Sequence, residues 1–411
     1  MRGVMAPRAH RSATHKFHQR RDTIVRAAVE VLNNKGVRGM TLADVAAKID
    51  LVPTAVMYYF HKKEDLAAAC FHKAIEQYES MIAQAQRGQS AREALELFIR
   101  GYFEFRRQIA GGEADQIAVY NDVRAVQDPG VGVAYTQMFR NARSLLLKSP
   151  DIARLPRMDC NARTHLLLAQ LFWSVVWVPR YYVEDYPRLA DHMLDIFENG
   201  LVRANGDWQP RGLHEVEPPL ADGSSEARET FLQAATSLMN DEGYRGASVQ
   251  KISERLNVTK GAFYHHLDTK DDLILACFER TLAIVRRAQD EGARVAANSA
   301  DNLIAVAAAL VEYQLSGKAP LLRTSALTSV PQEIRAGLMK EFDRASGRFS
   351  LVFSDGIADS SLRPVDAAIA SQMITALINA AAEVHNWAPG ISQQNVARAY
   401  ARPLFQGLLS N

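Results

Sequence analysis

SVQKISERLNVTKGAFYHHLDTKDDLILACF, the stretch from Ser248 to Phe278, reads as a short helix, a tight turn, a second short helix and the start of a longer one. Val249, Ile252, Ser253 and Leu256 fall at helical spacing and form one buried face. Asn257 suits the turn, because a short polar side chain tolerates left-handed backbone better than most residues. The small Ser253 lets the two helices approach closely, and Thr259 stands where the second short helix needs an N-cap. The pattern is a helix-turn-helix, whose second helix enters the major groove of DNA when the motif is a reader.

A lone pattern of this kind is often only a packing corner, but here it occurs twice. TLADVAAKIDLVPTAVMYYFHKKEDLAAACF, from Thr41 to Phe71, lies 207 residues upstream, and the match extends without a gap over residues 21–71 and 228–278, with 15 identities in 51 positions. Gly36/Gly243, Arg38/Arg245, Gly39/Gly246, Lys63/Lys270, Asp65/Asp272 and Cys70/Cys277 are among them. The apolar face Ile24, Ala27, Ala28, Val31 and Leu32 maps onto Phe231, Ala234, Ala235, Leu238 and Met239. In the first copy Leu42, Val45, Ala46 and Ile49 form the face and Asp50 the turn. Far longer segments follow each copy, so this is a duplicated two-domain protein and not a solenoid. Gly200-Leu201 and Gly407-Leu408 keep the same offset, which extends the duplication to the ends of the halves.

The second copy resembles the DNA-binding domain of the TetR family of bacterial transcriptional regulators, and the first resembles it more loosely. With the preceding helices the resemblance covers about a quarter of the chain. It implies that Thr259, Lys260, Gly261, Tyr264, His265 and His266 lie on the recognition surface, with Lys270 on a phosphate. Hydroxyls at Thr41 and Ser248, and ammonium groups at Lys63 and Lys270, sit near helix N-termini, where backbone N–H groups attract phosphate. The first copy departs from the pattern. Pro53 and Thr54 replace Lys260 and Gly261, Met57 replaces Tyr264, and Tyr58 and Tyr59 replace the two histidines. Proline is acceptable at the first helical position. The remaining segments are similar to the family's ligand-binding and dimerisation domain.

The 411 residues, 48% of them apolar, are enough for several cores. Nearly every segment reads helical, so the expected fold is all-α: two tandem TetR-like units arranged as a pseudo-dimer. The expected boundaries are a basic arm at 1–20, a first head at 21–73, a first regulatory domain at 74–204, a linker at 205–225, a second head at 226–280 and a second regulatory domain at 281–411. The linker composition suits an extended connection. The apolar run Leu166 to Val178 is too short and too polar to span a membrane. The N-terminus lacks a secretory signal, and Cys70 and Cys277 read as buried, reduced thiols. A cytoplasmic protein with no membrane partner follows. Residues 1–63 carry 12 Lys/Arg against 4 Asp/Glu, whereas 227–270 carry 6 against 5. The arm, with Arg2, Arg8, Arg11 and Lys16, could enter a minor groove and compensate for the lysine and tyrosine missing from the first recognition helix.

Aromatics crowd the first regulatory domain. Tyr102, Phe103, Tyr120, Tyr135, Phe139, Phe172, Trp173 and Trp177 are the candidate walls of an effector pocket, and each is alternatively an ordinary core residue. No cofactor, metal site or catalytic constellation emerges: His265 and His266 are adjacent and diverge, and no HExxH spacing exists. The reading is therefore a non-enzymatic regulator, acting by repression, that binds double-stranded DNA and a small, largely apolar effector. A single chain would read two non-identical half-sites, with further self-association left open. The alternative is a ligand-sensing or protein-binding scaffold whose first helix-turn-helix no longer binds DNA.

Overall fold

A computed structural model of the chain describes residues 8–120, 126, 128–203, 208–213, 216–217, 223–259, 269–318, 320–323, 330 and 332–410. Among these the fold is all-α, and the sole extended pairing is an isolated bridge between Val202 and Leu362. The first half contains α1 (Arg8–Gly39), α2 (Leu42–Lys48), α3 (Pro53–Met57), α4 (Lys63–Ala85), α5 (Ala91–Ala110), α6 (Pro129–Leu146), α7 (Pro150–Ala153), α8 (Arg157–Trp177) and α9 (Tyr186–Asn199). The second contains α10 (Gly223–Gly246), α11 (Val249–Leu256), α12 (Lys270–Val295), α13 (Ser299–Gln314), α14 (Gln332–Ala358) and α15 (Ala367–Ala381). It closes with the short helices α16 (Val384–Trp387), α17 (Gln393–Val396) and α18 (Arg402–Gln406), with a π turn over Ala397–Ala401. No described helix is long and apolar enough to cross a membrane.

Local signals set the heads. Asp50 and Asn257 both adopt the left-handed conformation, at φ 52° and 55°. The same turn hydrogen bond follows in each copy, Leu51 N–H to Ala46 and Val258 N–H to Ser253, both at 2.9 Å. Thr41 and Asp44 form a reciprocal capping box at α2, as do Thr269 and Asp272 at α12. Lys62 occupies the position of Thr269 and has no acceptor to offer, so only Asp65, accepting from the Lys62 N–H at 3.2 Å, remains of that box in the first copy. Cys70 and Cys277 each reach the equivalent carbonyl, of Val25 and of Leu232, and burial pushes both thiols up to about 12.

α4 and α12 each run unbroken from a head into its regulatory domain, so a head is tied to its sensor by a rigid rod. Where it is described, the linker is packed against the second regulatory domain. Trp208 packs on Phe405 at 5.2 Å, Arg211 donates to the Val295 carbonyl at 3.0 Å, Val216 is buried, and Glu217 pairs with Lys318 at 2.9 Å. It is a strap across the second regulatory domain, because its apolar residues gain more by covering α13 than by staying in water.

The halves meet through α8 and α15 and through their C-terminal segments. Their packing obeys a two-fold relation at the 207-residue offset. His165 bonds the Ala380 carbonyl at 3.0 Å, while the equivalents of those two, Gln372 and Trp173, bond each other at 3.2 Å. Gly200 (φ 72°) lies against the Phe405 carbonyl and Gly407 (φ 102°) against the Glu198 carbonyl, again an equivalent pair. Only glycine combines that backbone conformation with that approach. Arg163, buried at 6% exposure and lowered by burial to about 10, spends a donor on the Leu408 carbonyl at 2.7 Å.

Candidate nucleic-acid interface

α3 is only five residues long, and Val56 anchors it from beneath. Val52, Pro53, Thr54, Met57 and Tyr58 face solvent, with Tyr58 at 70% exposure. Tyr59 is half-buried and lies 4.8 Å from the Phe17 ring, with Tyr58 and Phe17 also in contact at 6.2 Å. Phe17 belongs to α1, which begins at Arg8, so this part of the basic arm is helical and not an extended thread; Arg2 lies outside the described residues. Arg21 sits 5.0 Å above the Phe60 ring. Lys16, Arg20 and Lys62 are exposed and have no ion-pair partner among the described residues. The exposed edge of α3 is thus mainly apolar and aromatic, with the exposed cations Lys16, Arg20 and Lys62 on the adjoining segments.

Several predicted phosphate ligands also have structural roles. Lys63 donates to the Arg38 carbonyl at 2.9 Å, which uses one of its three N–H donors. The Thr41 hydroxyl donates to Asp44 at 2.8 Å and accepts from the Asp44 N–H at 3.1 Å. Ser248 caps α11 by accepting from Lys251 N–H at 3.2 Å. Thr259 and Arg255 are exposed, and Lys270 opens α12 behind its Thr269 cap. Lys260, Gly261, Tyr264, His265 and His266 lie outside the described residues.

The heads also touch each other. Arg38 of the first head bonds Glu242 of the second at 2.9 Å, and Glu242 accepts from Lys251 at 2.5 Å. A Cβ on Gly246 would overlap the Arg38 guanidinium, so glycine there makes room for it.

The aromatic residues expected around one pocket are divided among three places. Tyr102, Tyr120 and Phe172 border a remnant space of about 10 Å³ together with Tyr78 and Arg106. Tyr102 donates to the Leu171 carbonyl at 2.8 Å, Tyr120 packs on Phe172 at 4.7 Å, and burial raises both hydroxyls above their ordinary value. Phe103 and Trp177 are core partners. Tyr135 and Phe139 instead clasp Trp387 of the other half, at 4.8 and 4.9 Å, and Trp173 belongs to the inter-half packing above. A cleft of about 740 Å³ opens in the second half, between the strap (Leu213, Val216) and α13 (Ala308, Ala309, Glu312, Tyr313). Burial raises the Glu312 carboxyl above its ordinary value.

A pair of residues not singled out in the sequence joins heads to sensors. Asn33 donates to the Ile117 carbonyl and accepts from Val119 N–H, both at 3.0 Å. Its equivalent Asn240 donates to Leu321 and accepts from Arg323 N–H, both at 2.9 Å. The identity Asn33/Asn240 was the available signal. Ile117 and Val119 also line the remnant aromatic space, so one loop touches both the head and the sensor.

The family description "Bacterial regulatory proteins, tetR family" matches residues 24–70 and 231–277. The Transposon Tn10 TetC protein of Escherichia coli is 37% identical over 57 residues, 14% of this chain and 29% of that protein. The HTH-type transcriptional repressor AcnR of Corynebacterium diphtheriae is 31% identical over 75 residues, 18% of this chain and 34% of that protein. The chain thus spans about a third or less of the length of these relatives. Among solved structures, AibR in complex with isovaleryl coenzyme A and operator DNA is 19% identical, with a TM-score of 0.36 over 44% of this chain and 99% of that one.

Proposed function

We propose that this chain, whose two helix-turn-helix domains both match the tetR family of bacterial regulatory proteins, is a transcriptional repressor whose single chain reads two non-identical half-sites under the control of a small molecule. The observation that carries the reading is the reciprocal packing of the two halves. It supports a pseudo-dimer in which one chain presents both heads, as two chains do in a symmetric helix-turn-helix dimer. Non-identical half-sites are expected because Pro53-Thr54-Ala55-Val56-Met57-Tyr58-Tyr59 and Lys260-Gly261-Ala262-Phe263-Tyr264-His265-His266 share one residue. The exposed α3 with Lys16, Arg20 and Lys62 beside it favours a DNA role for the first head over a degenerate scaffold.

For the effector, the apolar site expected among Tyr102, Tyr120 and Phe172 requires those rings to part, since they fill their own space. Their displacement would move the 117–119 loop and, through Asn33, the first head. A second effector site is favoured by the open cleft beneath the strap, which leads into α10 of the second head. Selection of bound duplexes from a random pool at physiological salt tests the main reading. The expected product is a bipartite, non-palindromic site, protected by one chain per duplex. A perfect palindrome, or no enrichment, would refute it.

A further inference from the structure

We propose that the facing surfaces of the two heads form a charge-coded latch that fits the second head to the first and rejects a second copy of the first. This rests on the single-chain reading above. Position 35 pairs with position 44 in the first head as Lys35–Asp44, at 2.7 Å. The equivalent positions in the second head carry the opposite signs and still pair, as Glu242–Lys251 at 2.5 Å. The swap conserves the pair within each head and so brings no evident gain there. Its consequence lies between the heads. Glu242 is the residue that accepts Arg38 of the first head, at 2.9 Å, with Gly246 leaving the space the guanidinium occupies. In a two-fold pairing of first heads both such contacts would set Arg38 against Lys35, a like-charge encounter, whereas in the native pairing one of the two is the attractive Arg38–Glu242.

The latch joins two readers whose apolar residues belong to different cores. The first head shares one continuous core with both regulatory domains, whereas the second head (Phe231, Leu232, Met239, Ile252 and Phe278) is packed in a different core that it shares with Leu322, Val330 and Leu338 of its own regulatory domain. Arg38–Glu242 therefore joins, at the heads, two bodies whose cores are distinct. A partly exposed pair of this kind supports about a fivefold preference for the closed arrangement, which added salt reduces.

The test uses the full chain with spin labels on Ala47→Cys and Glu254→Cys. These are exposed, equivalent positions, and the three native cysteines are buried. Glu242→Lys with Lys251→Asp preserves an ion pair inside the second head but places Lys opposite Arg38. The expected result is a broader label-to-label distance distribution without change in helicity. Adding Arg38→Glu should narrow the distribution again. An unchanged distribution in the double variant, or no recovery in the triple variant, would overturn the latch. This readout needs no DNA, so failure of the operator reading is scored separately. If that reading holds, the double variant also tolerates operator spacings that the native chain rejects.

Discussion

The two heads are built from one plan and have come to differ in how they are held. The first shares its core with the sensors, carries Lys16, Arg20 and Lys62, which have no ion-pair partner among the described residues, and presents an apolar, aromatic recognition edge. The second shares a different core with Leu322, Val330 and Leu338 of its own sensor, is reached through a packed strap, and is close to neutral over 227–270. The turns, thiols and asparagine clamps are shared between the copies, because each satisfies a backbone group that is present in both halves. What diverged is the surface. Duplication in one chain frees the copies from self-complementarity, since each now meets a partner with its own sequence.

The comparison breaks most severely at the two glycines where the halves interlock. Gly200→Ala and Gly407→Ala should each cost about 1–3 kcal/mol through left-handed backbone alone, with an added penalty from crowding a carbonyl of the other half. Gly112→Ala, also at positive φ (73°) but with open space around it, is the control for strain. Denaturant unfolding should rank the losses with Gly112→Ala smallest. Equal losses at all three sites would remove the interlock from the account.

An intermediate effect is expected at the arm. Deleting residues 1–19 removes Arg2, Arg8, Arg11 and Lys16 together with the ring of Phe17 that packs on Tyr58 and Tyr59. Affinity should fall on every sequence, and the log–log salt slope should flatten by roughly 0.9 for each phosphate that is no longer neutralised. Lys260→Ala with Lys270→Ala should flatten it less, as only two cations are involved. A slope unmoved by the deletion would mean that the arm does not touch DNA.

The smallest effect separates the inverted ion pairs. The Lys35 hydrogen bond holds the Asp44 carboxyl below its ordinary value, and Lys251 followed by Arg38 does the same for Glu242. A lowered carboxyl contributes stability that is fully present above its unfolded value of about 4 and is lost as pH falls through the lower folded value. Carboxyl NMR titration should therefore find both below their ordinary values, and Arg38→Ala should raise Glu242 while leaving Asp44 in place. A shift of Asp44 instead would place Arg38 on its own head.

The sequence by itself determined the all-α fold, the doubled helix-turn-helix, the left-handed turns at Asp50 and Asn257 and the capping at Thr41. Each of these is written within a few residues, in periodicity, caps and turn-forming side chains. Tertiary structure alone decided that the linker lies down as a strap, that Tyr135 and Phe139 hold Trp387 of the other half, and that Asn33 grips the 117–119 loop. It also gave the sign reversal at positions 242 and 251 its meaning, by bringing Arg38 across 204 residues of chain to Glu242. Local patterns specify which face of a helix is buried. Which surface covers that face is set by packing between residues far apart in the chain, and no local pattern records it.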